Sequence, residues 1–560
     1  MIDVSRRTVL RTPLAMAGAG FLAACTTSGP GAGPGSGAGP DPGPGSGPQR
    51  AGSTQAFVPE GPHGYVNPSD PEVHAVERER GSGPVRRHRL TASETTLDLG
   101  GLSVRSWAYG ESLPGPLVRV TAGDVLDLTL ANRLPAATTL HSHGVRLRCD
   151  MDGVPGLTQH AVRPGADFRY RCVLADPGTY LLHSHVGMQP DRGLYAPLVV
   201  DDPREPLAYD EEWIVLLDDW LDGVEGSTPD EVLTQLRPDA AAMGHMAMGP
   251  GRPAAGPPAP GRPAPGSPAV PLLPPRRSAG PSRVLRDSHS RMLHGHGGNV
   301  AHPHYLINGR LPGDPAVFRC RPGARVRLRI INAGADTAFR VALGGHELTV
   351  THTDGYPVRH TTTDSLLVGM AERYDVLITA EDGDFPLVAL PEGKKGRALA
   401  VLRTGKGKRS LPPAGVHPDE LDRRTVPARR LVPADSVALD DREPDREMRI
   451  KITGSMEKYD WGFDHQPYSV RKRYPVRAGE RVRLSLINAT DMWHPMHLHG
   501  HTFAITGVGG MGARKDTALV LPHRKLVIDF DADNPGLWML HCHNQYHSES
   551  GMMTILGYRR

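Results

Sequence analysis

Apolar residues fall on every second position in three short stretches of this chain, and the three share one template. They are Gly123-Asp124-Val125-Leu126-Asp127-Leu128-Thr129-Leu130-Ala131-Asn132, Gly323-Ala324-Arg325-Val326-Arg327-Leu328-Arg329-Ile330-Ile331-Asn332 and Gly479-Glu480-Arg481-Val482-Arg483-Leu484-Ser485-Leu486-Ile487-Asn488. Each has a Gly, apolar residues at offsets 3, 5 and 7, and an Asn at offset 9. A period of two predicts a strand with one face on a core, and the Asn predicts a turn at its end. Three copies at identical spacing predict an all-β chain of three homologous sandwich domains.

The segments that follow the copies diverge. After Asn132 comes His141-Ser142-His143-Gly144, and after Asn488 comes His497-Leu498-His499-Gly500-His501. After Asn332 the equivalent is Ala342-Leu343-Gly344-Gly345-His346. The outer domains are thus predicted to carry a site and the middle one to act as a spacer. Two further His-X-His pairs, His183/His185 and His541/His543, complete a set of four. Residues two apart on a strand point the same way, so each pair delivers two imidazoles to one place. Eight imidazoles suit copper, zinc or iron.

The segment His541-Cys542-His543-Asn544-Gln545-Tyr546-His547-Ser548-Glu549-Ser550-Gly551-Met552 narrows the metal. One Cys, two His and a distant Met are the donors of a blue-copper electron-transfer centre, and His494 can supply the second imidazole. His494 stands at an odd offset from His497, and Cys542 lies between His541 and His543. Each therefore faces away from its histidine neighbours, with a copper on one side of the strands and a histidine cluster on the other.

Composition adds boundaries. Of 560 residues, 65 are Gly and 54 Pro, while only 38% are apolar, which implies long unpacked segments beside folded ones. The net charge of +3 offers no basic footprint for nucleic acid. No apolar run reaches the roughly 20 residues that span a bilayer. Ser5-Arg6-Arg7-Thr8 followed by the apolar stretch Leu14–Leu22 resembles a twin-arginine export signal. Leu22-Ala23-Ala24-Cys25 resembles a lipoprotein processing site, with Cys25 lipidated. The expected organisation is a signal over 1–25 and a disordered Gly/Pro-rich tether and lead-in over 26–84. Domains then cover 85–204, 205–435 and 436–560, the second with a Pro-rich insertion at about 240–304.

On these motifs, the chain from about residue 85 to 560 resembles the three-domain multicopper oxidases of the laccase and copper-efflux type. The resemblance implies three consecutive cupredoxin-like Greek-key β-sandwiches and four copper ions. Type 1 copper would take His494, Cys542 and His547 with Met552 axial. Type 2 copper would take His141 and His497. One type 3 copper would take His143, His183 and His543, and the other His185, His499 and His541. A reductant, Cu(I) or a phenol, would lose electrons singly at the type 1 site, and His541-Cys542-His543 would carry them to a cluster that reduces dioxygen to water. Asp152 matches an acidic position near the cluster, where the alternative is a turn residue before Gly153. The family often has an acid directly after the last type 1 His; here Ser548 stands there and Glu549 one place later, so either Glu549 replaces that proton donor or the role is left unfilled. Ser142 stands where Trp is common and Leu181-Leu182 where an aromatic is. Asp491 and Met492 resemble a Cu(I)-docking position. The expected location is the outer face of the cytoplasmic membrane, held by the lipid anchor alone.

Two features carry alternatives. Met243, His245, Met246 and Met248 precede the Pro-rich stretch, and His289, Met292, His294, His296, His302 and His304 follow it. They suit a copper-collecting lid or are incidental to a low-complexity loop. Cys149 and Cys172 form a disulfide in an exported protein or remain core thiols.

Overall fold

The computed structural model describes residues 57–237, 280–405, 410–507 and 510–560. The signal, Cys25, most of the tether, and Met243, His245, Met246 and Met248 lie outside them. Strands dominate, and they form six sheets. In the first sandwich a sheet of Ser103–Tyr109, Val85–Asp98, Val125–Asn132 and Asp167–Val173 faces one of Val118–Thr121, Tyr195–Asp201, Gly178–His183 and His141–His143. The second and third sandwiches each set a six-stranded sheet on a five-stranded one, with strands drawn from 211–404 and 446–558 respectively. These are three consecutive cupredoxin-like β-sandwiches.

The repeated strands, Val125–Asn132, Arg325–Asn332 and Arg481–Asn488, occupy equivalent places. Each pairs in parallel with the first long strand of its domain and antiparallel with a later one. The terminal Asn has one function in all three. Asn132 Nδ2 donates to the carbonyls of Ala136 and Val162, Asn332 Nδ2 to those of Thr337 and Val368, and Asn488 Nδ2 to those of Met492 and Val520. In each case Oδ1 accepts from the backbone N–H two residues on. A buried amide thus replaces ladder bonds where the strand turns away, which satisfies backbone groups that burial would otherwise orphan.

In the middle copy Arg327 and Arg329 are each 2% exposed, with Asp375, Glu205 and Glu212 neutralising them. The lead-in, expected to be disordered over 26–84, is instead folded from residue 57. Tyr65 bridges to Arg559, the Val66 N–H donates to the Tyr558 carbonyl, and a helix, Pro71–Glu79, follows with Asp70 and Glu72 ion-paired to Arg560. Cys149 and Cys172 are free thiols: Cys149 Sγ lies 3.3 Å from the Leu537 carbonyl, and Cys172 is buried in the core. Among the described residues no helix is long and apolar enough to cross a membrane.

Candidate copper centres

Strand pairing brings the histidine pairs together. His141–His143 lies antiparallel to Gly178–His183 with His141 opposite His183. His494–Leu498 lies antiparallel to Leu537–Cys542 with His497 opposite His541, and to Thr517–Val520 with His497 opposite Thr517. His185, His499 and His543 sit just past the ends of their strands. All eight imidazoles converge between the first and third domains. The His141 and His499 rings stack at 3.9 Å, and those of His143 and His497 at 3.7 Å. Donor nitrogens of His185, His499 and His541 fall within 4.8 Å of one another, as do those of His141, His143 and His183. His499 Nε2 lies 3.1 Å from His541 Nε2, and His543 Nε2 lies 3.4 Å from His183 Nε2.

The outward nitrogens are anchored. His141 Nδ1 bonds to the Asp152 carbonyl, His183 Nδ1 to that of Ser184, His497 Nδ1 to that of Asp516, and His541 Nδ1 to that of Cys542. His499 Nδ1 bonds to Asp152 Oδ2 at 2.9 Å. The inward nitrogens His141 Nε2, His497 Nε2, His185 Nε2 and His143 Nδ1 are buried with no partner. Burial, reinforced for most by neighbouring imidazoles, drives seven of these histidines below their ordinary range. Neutral rings whose unpartnered nitrogens converge within 4.8 Å have the donor chemistry of a metal cluster.

On the far side of the same strands stands a second group. His494 Nδ1 and His547 Nδ1 are 3.2 Å apart, and Cys542 Sγ lies 3.6 Å and 3.7 Å from them. A point equidistant from three such atoms is about 2 Å from each, an ordinary metal–ligand distance. Thr490 Oγ1 holds His494 Nε2 at 2.9 Å, and Asn299 Oδ1 holds His547 Nε2 at 2.6 Å. Burial takes His494 down to about 3 and pushes the Cys542 thiol up, so a cation would have to displace its proton. Met552 is buried beside them; its carbonyl accepts from the Cys542 N–H and its N–H donates to the His547 carbonyl. A trigonal His2Cys set with a neighbouring Met fits copper.

The other candidates separate. Asp152 is 1% exposed and touches His141 as well as His499. Ser548 Oγ stands 3.4 Å from His541 Nδ1, whereas Glu549 lies beside Asp230 and Arg237 of the middle domain, where burial raises it to about 7. The side chain nearer the cluster is thus Ser548. Asp491 is exposed and pairs with His523 at 2.7 Å, but Met492 is fully buried. The tight turn in which Thr490 Oγ1 bonds to both the N–H and the carbonyl of Met492 sends that side chain inward, so the two do not form one surface site.

Residues 280–304 are ordered. The His296 carbonyl accepts from Trp493 Nε1, and Asn299 caps His547, so this segment walls the Cys542 site. His289 and His294 are exposed, while His302 is buried between Asp219 and Asp191, away from any lid. In the middle domain Ala342 packs in an apolar cluster and His346 closes a turn through the Gly344 carbonyl. Sequence reasoning missed Asn299, Thr490, Asp516 and Thr517. A charged Lys515-Asp516 step beside apolar, buried Ala518 is a visible signal for the last two; the first two carry none.

Three sandwiches with these two donor sets define a cupredoxin-type copper oxidoreductase. Residues 91–205, 285–407 and 441–559 match multicopper oxidase family profiles. The chain is 46% identical to multicopper oxidase MmcO of Mycobacterium tuberculosis, over 85% of this chain and 88% of that one. It is 28% identical to a copper resistance protein A homolog of Pseudomonas syringae pv. tomato, over 83% and 90%. Among solved structures it is similar to Fet3p, a multicopper oxidase that functions in iron import, with a TM-score of 0.67, 21% identity and coverage of 85% and 90%. It is also similar to a laccase from Botrytis aclada, with a TM-score of 0.66, 23% identity and coverage of 86% and 90%. This chain belongs to the multicopper oxidase family and is a copper-dependent oxidoreductase that uses oxygen.

Proposed function

We propose that the chain oxidises a small reductant, Cu(I) ahead of phenols, at His494, Cys542 and His547, and reduces dioxygen at the eight-histidine cluster, in the service of copper tolerance. The observation that carries this reading is the His541-Cys542-His543 run: its backbone joins the sulfur-containing site to two imidazoles of the cluster. His494, Cys542, His547 and Met552 would hold one copper, His141 and His497 a second, and the sets His143/His183/His543 and His185/His499/His541 the remaining two. When bound, copper supplies one-electron transfer at the first site and multi-electron reduction of dioxygen to water at the others.

The protein's own groups do the rest. Trp461, with its ring centroid 4.4 Å from that of His547, and the Asn299 cap keep water from the Cys542 site. Asp152 Oδ1, buried without a hydrogen-bond partner, can hold a proton beside His141. His547 is fully buried, capped by Asn299 and packed by Trp461, which favours a small reductant over a bulky phenol, and the names of the copper resistance relatives support a role in copper tolerance. Export by the twin-arginine route and anchorage through Cys25 complete the proposal and place the enzyme at the cell envelope.

Oxygen uptake by the copper-loaded protein, with Cu(I) and a bulky phenol at equal reducing equivalents, tests the substrate. Faster uptake with Cu(I) and about four coppers per chain are expected. Faster uptake with the phenol would make the protein a laccase, and uptake with neither would leave a copper-binding protein. Fatty-acid labelling that survives Cys25→Ser would refute the anchor.

A further inference from the structure

The middle domain lacks the histidine pairs, yet one of its side chains holds a carboxylate that touches the cluster. Arg373, on strand Arg373–Thr379, is fully buried and forms a two-pronged ion pair with Asp516 of the third domain, with NH1 to Oδ1 at 2.7 Å and NH2 to Oδ2 at 2.6 Å. Asp516 Oδ1 accepts from His143 Nε2 at 3.0 Å and lies 3.4 Å from His497 Nδ1. The Asp516 carbonyl takes the His497 Nδ1 bond at 2.9 Å, and Thr517 Oγ1 stands 3.1 Å and 3.2 Å from the two rings. Arg373 is itself over-determined: Nε donates to the Thr179 carbonyl of the first domain and NH1 to the Ala371 carbonyl, and its own N–H donates to Asp354. Asp354 Oδ2 in turn accepts the backbone N–H groups of Asp516 and Thr517.

This contact gives His143 an orientation unlike its neighbours. His141, His183, His497, His499 and His541 are each held at Nδ1 and turn Nε2 inward. His143 is held at Nε2, and its unpartnered Nδ1 faces the cluster. An imidazole that donates Nε2–H to a carboxylate leaves Nδ1 as the lone-pair donor, so the partner of one nitrogen fixes what the other can ligate. Gly144, next in the chain at φ +84°, supports the same conclusion. A Cβ there would strike Arg373 NH2 and Asp516 Oδ2, so the ion pair occupies the space a side chain beside His143 would need.

We infer that Arg373 of the copper-free domain and Asp516 are positioning residues for the cluster: they orient His143 and His497, so the middle domain is a structural partner of the oxygen site and not a spacer. The inference rests on the four-copper reading above. Asp152 serves the opposite side through His141 and His499, so the two carboxylates clamp the cluster from separate domains.

The test uses copper-loaded full-length protein carrying Arg373→Gln, Asp516→Asn or Arg373→Lys, with Arg481→Lys as the control. Arg481 is a buried arginine paired with Asp531 that bonds to none of the cluster histidines. Readouts are copper per chain, the electron paramagnetic resonance signal of the cluster copper, visible absorption from the Cys542 site, and kcat and KM separately. Arg373→Gln and Asp516→Asn are expected to lower kcat by about 10- to 100-fold, the range found when partners of metal ligands are removed. They should also change the cluster signal, while the Cys542-site absorption and the KM for reductant stay within two-fold. Arg373→Lys, which keeps the charge and loses the fork, is expected to fall between these variants and wild type. Wild-type signals and kcat in folded variants overturn the inference, as does an equal change in Arg481→Lys. If the Gln and Asn variants do not fold, Arg373→Lys decides alone. A wild-type protein with no cluster signal would instead refute the copper reading beneath it.

Discussion

Asn299 is the residue on which the Cys542 site closes. Its Oδ1 accepts from both His547 Nε2 and the Tyr459 hydroxyl, and its own N–H donates to Asp336 Oδ2. Asn299→Ala leaves those two donors buried without an acceptor, so a loss of about 1–3 kcal/mol is expected in denaturant unfolding. A shifted visible absorption of the copper-loaded protein should accompany it as the His547 ring relaxes. His302 sets an acid limit. Asp219, Asp191, Asp336 and Lys394 face it, yet burial dominates and holds it neutral down to about pH 4. Unfolded, it protonates near 6.5, so folding must expel a proton between those values and stability falls as pH drops from about 6.5 to 4. His302→Gln should remove up to about 3 kcal/mol of that acid loss, seen as a smaller fall in Tm between pH 7 and pH 4.5. Neither effect is visible in the sequence, where Asn299 is an unmarked polar residue and His302 reads as one more histidine of a His/Met tract. Burial and long-range pairing, not local pattern, decide both roles.

At the scale of elements, the short helix Gln545–Glu549 carries His547 to the Cys542 site and Ser548 to His541 of the histidine cluster. Asn544 caps it: Oδ1 accepts from the N–H groups of Tyr546 and His547, and Nδ2 donates to Asp336 Oδ1 at 2.6 Å. Five residues cannot sustain a helix by propensity, so cap and packing must hold it. Asn544→Ala is expected to cost about 1–2 kcal/mol and to lower copper retention at the Cys542 site, measured as copper per chain after dialysis. The repeated strands were legible because period two and the terminal Asn are local signals, and the His-X-His pairs because strand geometry converts spacing into direction. Segment 280–304 was less so. Its His and Met residues suggested chemistry, whereas the structure uses the His296 carbonyl and the Asn299 amide, which no composition argument singles out. In Arg325–Asn332 the period of two locates the strand but not the ion pairs of Arg327 and Arg329 with Asp375, Glu205 and Glu212, whose partners are distant in sequence.

For the whole molecule, the cluster is also a fastener. Its ligands come from the first and third domains, so bound metal stabilises only the assembled chain. Copper removal by a chelator is expected to lower Tm by at least several degrees, with reversal on reloading, as followed by calorimetry. The lead-in is a second fastener, since Tyr65, Val66 and Asp70 engage Tyr558, Arg559 and Arg560. Deletion through residue 80 should lower Tm while leaving kcat of the loaded enzyme within two-fold.

Ligands supplied from opposite ends of one chain also impose an order on biosynthesis. His141 to His185 leave the ribosome roughly 350 residues before His541. At about 5–20 residues per second, the first domain therefore waits on the order of 20–70 s before the other half of the proposed ligand set is made. During that interval four imidazoles, three of which the finished molecule buries, are open to any divalent ion in the compartment. The protection of the nascent half-site, by a chaperone or by metal scarcity, thus becomes part of making the enzyme correctly.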